Sequence, residues 1–158
     1  MGRYVSSYFS PGRGCGDVVI GFLDRCDQTI DAAIYSITHD GIAAALLRAQ
    51  ARGVAVRVLV DKTQAAGRHA DDEELELAGV DLRRDTQRGL MHHKFVIGDG
   101  TALATGSFNW TSGADKRNAE NFMVVRLRYA IAAYQEQFDA IWLLNAPLNA
   151  PPVVSPDA

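Results

Sequence analysis

The sequence predicts an α/β fold built on a mixed sheet. Two observations carry this expectation. The first half alternates short β-compatible runs with an Ala/Leu-rich helical segment, the pattern of a parallel strand–helix–strand unit. The second half changes to strands joined by short connections, one of them the two-residue turn Asp99-Gly100. At 158 residues and 47% hydrophobic composition, the chain is long enough to bury a core without disulfide or metal staples. Residues 1–145 therefore read as one domain.

The elements follow in order. After the Pro/Gly-rich entry from Pro11 to Gly16, Val18, Val19, Phe22, Leu23 and Cys26 recur at helical spacing, with Asp17 as the expected N-cap. Ile30 to Ile37 reads as a buried strand. Gly41 to Arg52 is a helix stopped by Gly53, and Val54 to Val60 is a second strand, parallel to the first. Asp61 to Ala70 is polar and reads as a loop; Asp71 to Ala78 is a short helix whose acidic first turn suits the helix dipole. From Val80 onward the expectation is strands: Val80 to Arg84, His92 to Ile97, Thr101 to Thr105 and Asn121 to Leu127. Tyr129 to Leu143 closes the fold as a helix with Ile131, Tyr134, Phe138, Ile141 and Trp142 on one face. Residues 146–158, with Pro147, Pro151, Pro152 and Pro156, read as an extended or disordered tail.

Composition narrows the function classes. A formal charge of −3 argues against a protein that coats nucleic acid with a basic surface, so phosphate contacts need a local cluster. Arg83, Arg84, Arg88, Lys94, Lys116 and Arg117 are its candidates. No run approaches the ~20 apolar residues of a membrane span, and Met1 to Ser10 lacks the pattern of a secretory signal. The chain as given reads as soluble with no stable membrane insertion: cytoplasmic as it stands, periplasmic or secreted if Met1-Gly2 replaces a removed signal. Cys15 and Cys26 bracket the first helix, roughly 16 Å apart at ~1.5 Å per residue, too far for an intrachain bridge.

One constellation carries chemistry. His92, Lys94, Asp99, Gly106, Ser107 and Asn109 form the pattern H-x-K-x4-D-x6-G-S-x-N. Residues two apart in a strand share a face, so His92 and Lys94 project together while His93 and Phe95 point away. The turn at Asp99-Gly100 folds the next strand back, bringing Ser107 and Asn109 beside them. An imidazole with an ordinary pKa near ~6.5 attacks when neutral and donates a proton when charged. Lys94 neutralises a non-bridging phosphate oxygen, Asn109 donates to another, and Gly106 lets the backbone turn beside the phosphate. The set suits a phosphodiester without a metal.

The pattern resembles the active-site motif of the phospholipase D superfamily, with all six fixed residues in place. Tyr35-Ser36-Ile37-Thr38, Arg52-Gly53-Val54, Val60-Asp61 and Ala119-Glu120-Asn121 extend the likeness, toward the small bacterial endonuclease branch, over roughly Tyr8 to Trp142. The resemblance implies a phospholipase D-like mixed β-sheet flanked by helices on both faces. It implies that His92 forms a phosphohistidine intermediate, that Lys94 and Asn109 bind phosphate, that Ser107 hydrogen-bonds within the site, and that Glu120 orients the histidine. Asp99, at the turn, is expected to brace the loop. The family's reaction uses two histidines and this chain has a single motif, which implies a homodimer with His92 at its two-fold interface.

The resulting expectation is a metal-independent endonuclease of DNA and/or RNA, with no cofactor and nucleic acid as substrate. The alternatives are a phospholipase D or transphosphatidylase acting on lipid headgroups, and a catalytically idle nucleic-acid-binding module. His93 is expected to pack or lie at the surface, and His39 and His69 to be solvated in loops. Gly12, Gly14 and Gly16 lack the strand and the Lys-Ser/Thr ending of a phosphate loop. The acidic run Asp71, Asp72, Glu73, Glu74 and Glu76 reads as a solvated helix face. For Phe108 and Trp110, packing behind the motif and lining a groove stay equally open.

Overall fold

A computed structural model describes residues 4–12, 14–65 and 72–145. Its centre is a seven-stranded sheet formed by β1 (Val5–Ser10), β2 (Thr29–Ile34), β4 (Ala55–Asp61), β5 (Asp81–Asp85), β6 (Lys94–Gly98), β7 (Ala102–Gly106) and β9 (Glu120–Val125). The strand order is β1-β9-β7-β6-β2-β4-β5. A two-stranded ribbon pairs β3 (Ile37–Thr38) with β8 (Trp110–Thr111) in parallel.

The helices are α1 (Cys15–Asp24), α2 (Asp40–Ala51), the short turns α3 (Lys62–Ala65) and α4 (Asp72–Leu77), α5 (Ser112–Lys116), and α6 (Arg128–Leu144). Sheet alternation divides the core. Ile30, Ala32 and Ile34 of β2 and Val56, Val58 and Val60 of β4 pack with Val19, Phe22 and Leu23 of α1 and Ile42, Ala45 and Leu46 of α2. Ala33, Leu59, Phe95 and Ile97 face the other way, against Ile131, Phe138 and Trp142 of α6. The sheet is thus mixed and covered by helices on both faces.

The α6 face carries an ionic pin. Asp31 and Arg57 are cross-strand partners in the β2–β4 register, and the guanidinium grips the buried carboxylate through two hydrogen bonds of 2.7 and 2.8 Å. The same guanidinium reaches Asp139 at 3.1 Å and lies 4.9 Å from the Phe138 ring centroid. A substitution at Arg57 would therefore strip a charge partner from Asp31 and loosen α6 together.

Several elements differ from the sequence reading, each for a local reason. Helix α1 begins at Cys15 after Gly14, whose φ of 62° supplies the left-handed cap position; Asp17 lies inside the first turn. The first strand ends at Ile34, and the chain resumes extended structure only at β3. The stretch from Asp61 starts as strand and then turn: Asp61 completes β4 and Lys62–Ala65 is helical. Strand β5 pairs parallel to β4, and antiparallel pairing begins at β6. Strand β1 was not expected at all. It pairs with β9 alone and leaves alternate residues exposed, so it lacks a hydrophobic run. Residues 146–158 and His69 lie outside the described residues.

Candidate active site

The β6–β7 hairpin places the motif. Asp99 and Gly100 both have positive φ, 51° and 61°, the geometry of a type I′ turn, and Phe95 pairs with Thr105. Continuing that register by one residue sets Gly106 across from Lys94. At the turn, the Asp99 carboxylate accepts backbone N–H groups from Asp27, Gln28 and Thr29 at 3.1, 2.8 and 2.9 Å. Partial burial raises this carboxyl, but the three N–H donors outweigh it and hold the pKa below the ordinary value. Asp99 thereby ties the hairpin to the start of β2, far from any acid–base task at His92.

At the opposite end, His92 is exposed and precedes the first ladder residue of β6. The Tyr35 N–H donates to the His93 carbonyl at 2.9 Å, continuing the β2–β6 pairing into this segment. Lys94 Nζ lies 2.9 Å from His92 Nδ1 and donates to the His92 carbonyl at 2.6 Å. An Nδ1 that accepts from the ammonium puts the neutral ring's proton on Nε2, so attack by Nε2 needs the proton on Nδ1 and Lys94 turned from the ring to the phosphate. Burial lowers the Lys94 pKa, against the opposing pull of the Glu120 charge. His93 turns away toward Phe95, their ring centroids 5.4 Å apart, and burial followed by the charges of Lys94 and His92 depresses its pKa.

Gly106 is required by packing. A Cβ there would come within 2.2 Å of the Asn121 carbonyl oxygen on β9, so only glycine lets the strands approach; its φ is not positive, and tight turning is not the reason. Ser107 then donates its hydroxyl to Glu120 and accepts the Asn121 N–H at 3.1 Å. Asn118 donates to the other Glu120 oxygen at 3.1 Å. Within this chain Lys94, not Glu120, faces His92 Nδ1, while the Glu120 charge acts on Lys94. Asn109 Oδ1 is buried without a hydrogen-bond partner among the described residues.

Phe108 and Trp110 are each 1% exposed, so both pack behind the motif rather than lining a groove. Burying rings of this size contributes about 2–3 kcal/mol each, enough to fix the loop that carries Ser107 and Asn109. The β3–β8 ribbon and the Trp110 N–H bond to the Ser36 carbonyl at 3.1 Å bring the Tyr35–Ser36 segment to the same place. Tyr35 is the site neighbour that the residue-by-residue reading missed. Its ring centroid is 4.5 Å from that of His92 and 4.9 Å from Lys94 Nζ. The resemblance of Tyr35-Ser36-Ile37-Thr38 was the available signal.

The expected basic cluster is dispersed. Arg83 donates to the Trp142 and Asn145 carbonyls at 2.7 and 2.8 Å and lies 4.0 Å from a Trp142 ring centroid. Arg84 pairs with Glu76 at 3.0 Å. Both serve the packing of α6 and α4 rather than a phosphate. Arg88, Lys116 and Arg117 are exposed in segments that lead to His92 and Glu120. His39 is not solvated: its side chain is 15% exposed and sits 3.7 Å from Asp115. Beside His92 lies an open cleft of about 390 Å³, bounded by Gln87, Leu90, Met91, Ile141 and Leu144. Among the described residues, no three His, Cys, Asp or Glu side chains are grouped to hold a metal ion, and no helix is long and apolar enough to cross a membrane. Both cysteines are buried and free.

The family model for the cardiolipin synthase PLD-like domain matches residues 19–142, which include every motif position. The chain belongs to the phospholipase D superfamily. It is 38% identical over 123 residues to a mitochondrial cardiolipin hydrolase of Chlamydomonas reinhardtii, a match covering 78% of this chain and 55% of that protein. With a phospholipase D of Rickettsia felis it shares 36% over 134 residues, 85% of this chain and 67% of the other. This chain thus spans about half the length of the algal relative. The crystal structure of Nuc, a phospholipase D family member from Salmonella typhimurium, superposes with a TM-score of 0.86 at 27% identity, covering 92% of this chain and 98% of that one. NucT from Helicobacter pylori shares the fold, with a TM-score of 0.83 at 20% identity and coverage of 91% and 98%.

Proposed function

We propose that this chain is a metal-independent phosphodiesterase, an endonuclease of DNA and/or RNA with little sequence specificity. The observation that carries the reading is the exposed His92 ring with the Lys94 ammonium beside it, an imidazole and a cation placed together where a phosphate can reach both. The superposition on Nuc across 92% of this chain supports the reading.

In the first step, Nε2 of His92 forms a bond to phosphorus as the bond to the leaving oxygen breaks, and that oxygen takes a proton from a second imidazole. In the second, water attacks the phosphohistidine, gives its proton to the same second imidazole, and the P–N bond breaks. Lys94 and Asn109 stabilise the charge on the non-bridging oxygens. The second imidazole is the partner's His92. His93 is turned toward Phe95 and His39 toward Asp115, so among the described histidines neither is placed for the task. A homodimer with both His92 rings at its two-fold axis supplies it, one working site per dimer.

A second reading is hydrolysis of a phospholipid headgroup. The names of the relatives at 36–38% identity favour it, as does the apolar rim of Leu90, Met91, Ile141 and Leu144 beside His92. Wild type and His92→Ala should be assayed on plasmid DNA, single-stranded DNA, RNA, phosphatidylcholine and cardiolipin vesicles with EDTA present. Cleavage of nucleic acid, lost in His92→Ala, is expected; activity confined to the vesicles selects the second reading, and activity abolished by EDTA overturns the metal-independent chemistry. Sedimentation of the active species tests the dimer: a fully active monomer refutes the shared site.

A further inference from the structure

Asp61 is 1% exposed, carries a charge, and takes no part in the reaction above. Its Oδ2 accepts the N–H of Met91, the residue before His92, at 2.9 Å. Its Oδ1 accepts the Thr63 N–H at 2.8 Å and the Thr63 hydroxyl, which sets the α3 turn. From that turn Gln64 Nε2 donates to the Tyr35 hydroxyl at 3.0 Å. Lys62 Nζ donates to the Thr86 and Gln87 carbonyls at 3.3 and 2.9 Å, stitching the same turn to the chain that enters His92. The Tyr35 ring ends the path, inclined 54° to the His92 ring and beneath Lys94 Nζ.

His92 needs such a support. It lies outside the β6 ladder and is exposed, so packing does not fix its ring. Displacing an attacking atom by ~1 Å costs on the order of 10²-fold in rate. We propose that Tyr35 and Gln64, anchored by Asp61, are positioning residues: Gln64 holds the Tyr35 ring as a floor that sets the plane of the His92 imidazole and the place of the Lys94 ammonium. The ring's negative face also attracts the cation above it. Burial alone raises the Asp61 carboxyl, yet donors from Thr63, Met91 and Gln64 outweigh it and keep its pKa below the ordinary value, so the anchor stays charged at neutral pH. This rests on the reading of His92 as the nucleophile.

The test uses the full chain with Gln64→Ala, Tyr35→Phe, their combination and Tyr35→Leu. Hydrolysis of bis(p-nitrophenyl) phosphate is followed together with the His92 ring resonances in proton–carbon correlation spectra. Gln64→Ala and Tyr35→Phe should each lower kcat about 10-fold with KM within about twofold, and shift the His92 Cε1–H and Cδ2–H signals through the altered ring current. The combination should be no worse than the poorer single variant, because both remove one contact. Tyr35→Leu, which removes the floor, should cost about 10²-fold. Unchanged kcat in both single variants, losses that multiply in the combination, or His92 signals that stay in place would each overturn the proposal. If wild type fails to cleave the diester, the functional reading falls, and the ring resonances still decide whether Tyr35 and Gln64 hold His92.

Discussion

The two ends of the β6–β7 hairpin, both drawn from one sequence motif, treat their polar groups in opposite ways. At the turn, one carboxylate takes three backbone N–H groups, and Asp99 is fully employed in holding β2 to the hairpin. At the other end His92 is exposed, Asn109 Oδ1 is buried without a partner among the described residues, and Lys94 is a partly desolvated cation. A satisfied network gives stability, whereas an exposed imidazole beside a cation stays open to an anionic ligand. On the proposed function the motif divides into a structural half and a chemical half, and substitutions should separate them.

The largest expected effect is at the chemical end. His92→Ala should lower kcat by about 10⁴-fold or more while the melting temperature hardly moves, because the ring is exposed and only its chemistry is lost. A variant with substantial residual turnover would break the contrast at once. Gly106→Ala comes next and inverts the rule, since it sits at the chemical end but is fixed by packing. Its new Cβ meets β9 backbone, and forcing the strands apart should cost about 3 kcal/mol, roughly 6–12 °C in melting temperature. A melting curve that matches wild type would show that the strands yield more easily than the geometry implies.

Lys94→Arg should follow, with kcat/KM at neutral pH reduced by about 10²-fold, since a planar fork does not replace a point ammonium. Its pH profile sharpens the comparison. Burial depresses the Lys94 pKa, so the wild-type alkaline limb should begin below the ordinary lysine value; Arg remains charged, so the limb should move to higher pH or vanish. An alkaline limb unaltered by the substitution would assign it to another group.

The smallest effect belongs to the structural end. Asp99→Asn should cost about 1 kcal/mol, roughly 2–4 °C, with kcat per folded molecule unchanged. The pH dependence has a definite sign. The folded-state pKa of Asp99 lies below its unfolded value, so its stabilisation is present above about pH 4 and is lost as pH falls through the folded pKa. Acid unfolding should accordingly be less steep in the Asn variant. A drop in kcat with stability intact would move Asp99 to the chemical half.

Much of this arrangement is legible in the chain because its signals are local. Asp99-Gly100 demands a type I′ turn, Gly53 stops α2, and the spacing of the six motif residues survives transfer onto a hairpin. The Ala/Leu run and its two flanking strands likewise announce a parallel unit. Pairings between distant segments left no such trace. Strand β1 is an edge strand whose alternate residues face solvent, and its partner β9 lies over a hundred residues away in the chain. Arg83 and Arg84 read as free cations until α6 and α4 claim them.

What the sequence determined by itself is the family, the hairpin, and the six residues of the motif, since each depends on residue type and short spacing. Only the tertiary structure decided that Lys94 Nζ faces Nδ1 of His92, that Gly106 serves close strand approach, and that Tyr35 lies against the His92 ring. Those outcomes depend on strand order and on three-dimensional distances between segments, which no local periodicity encodes.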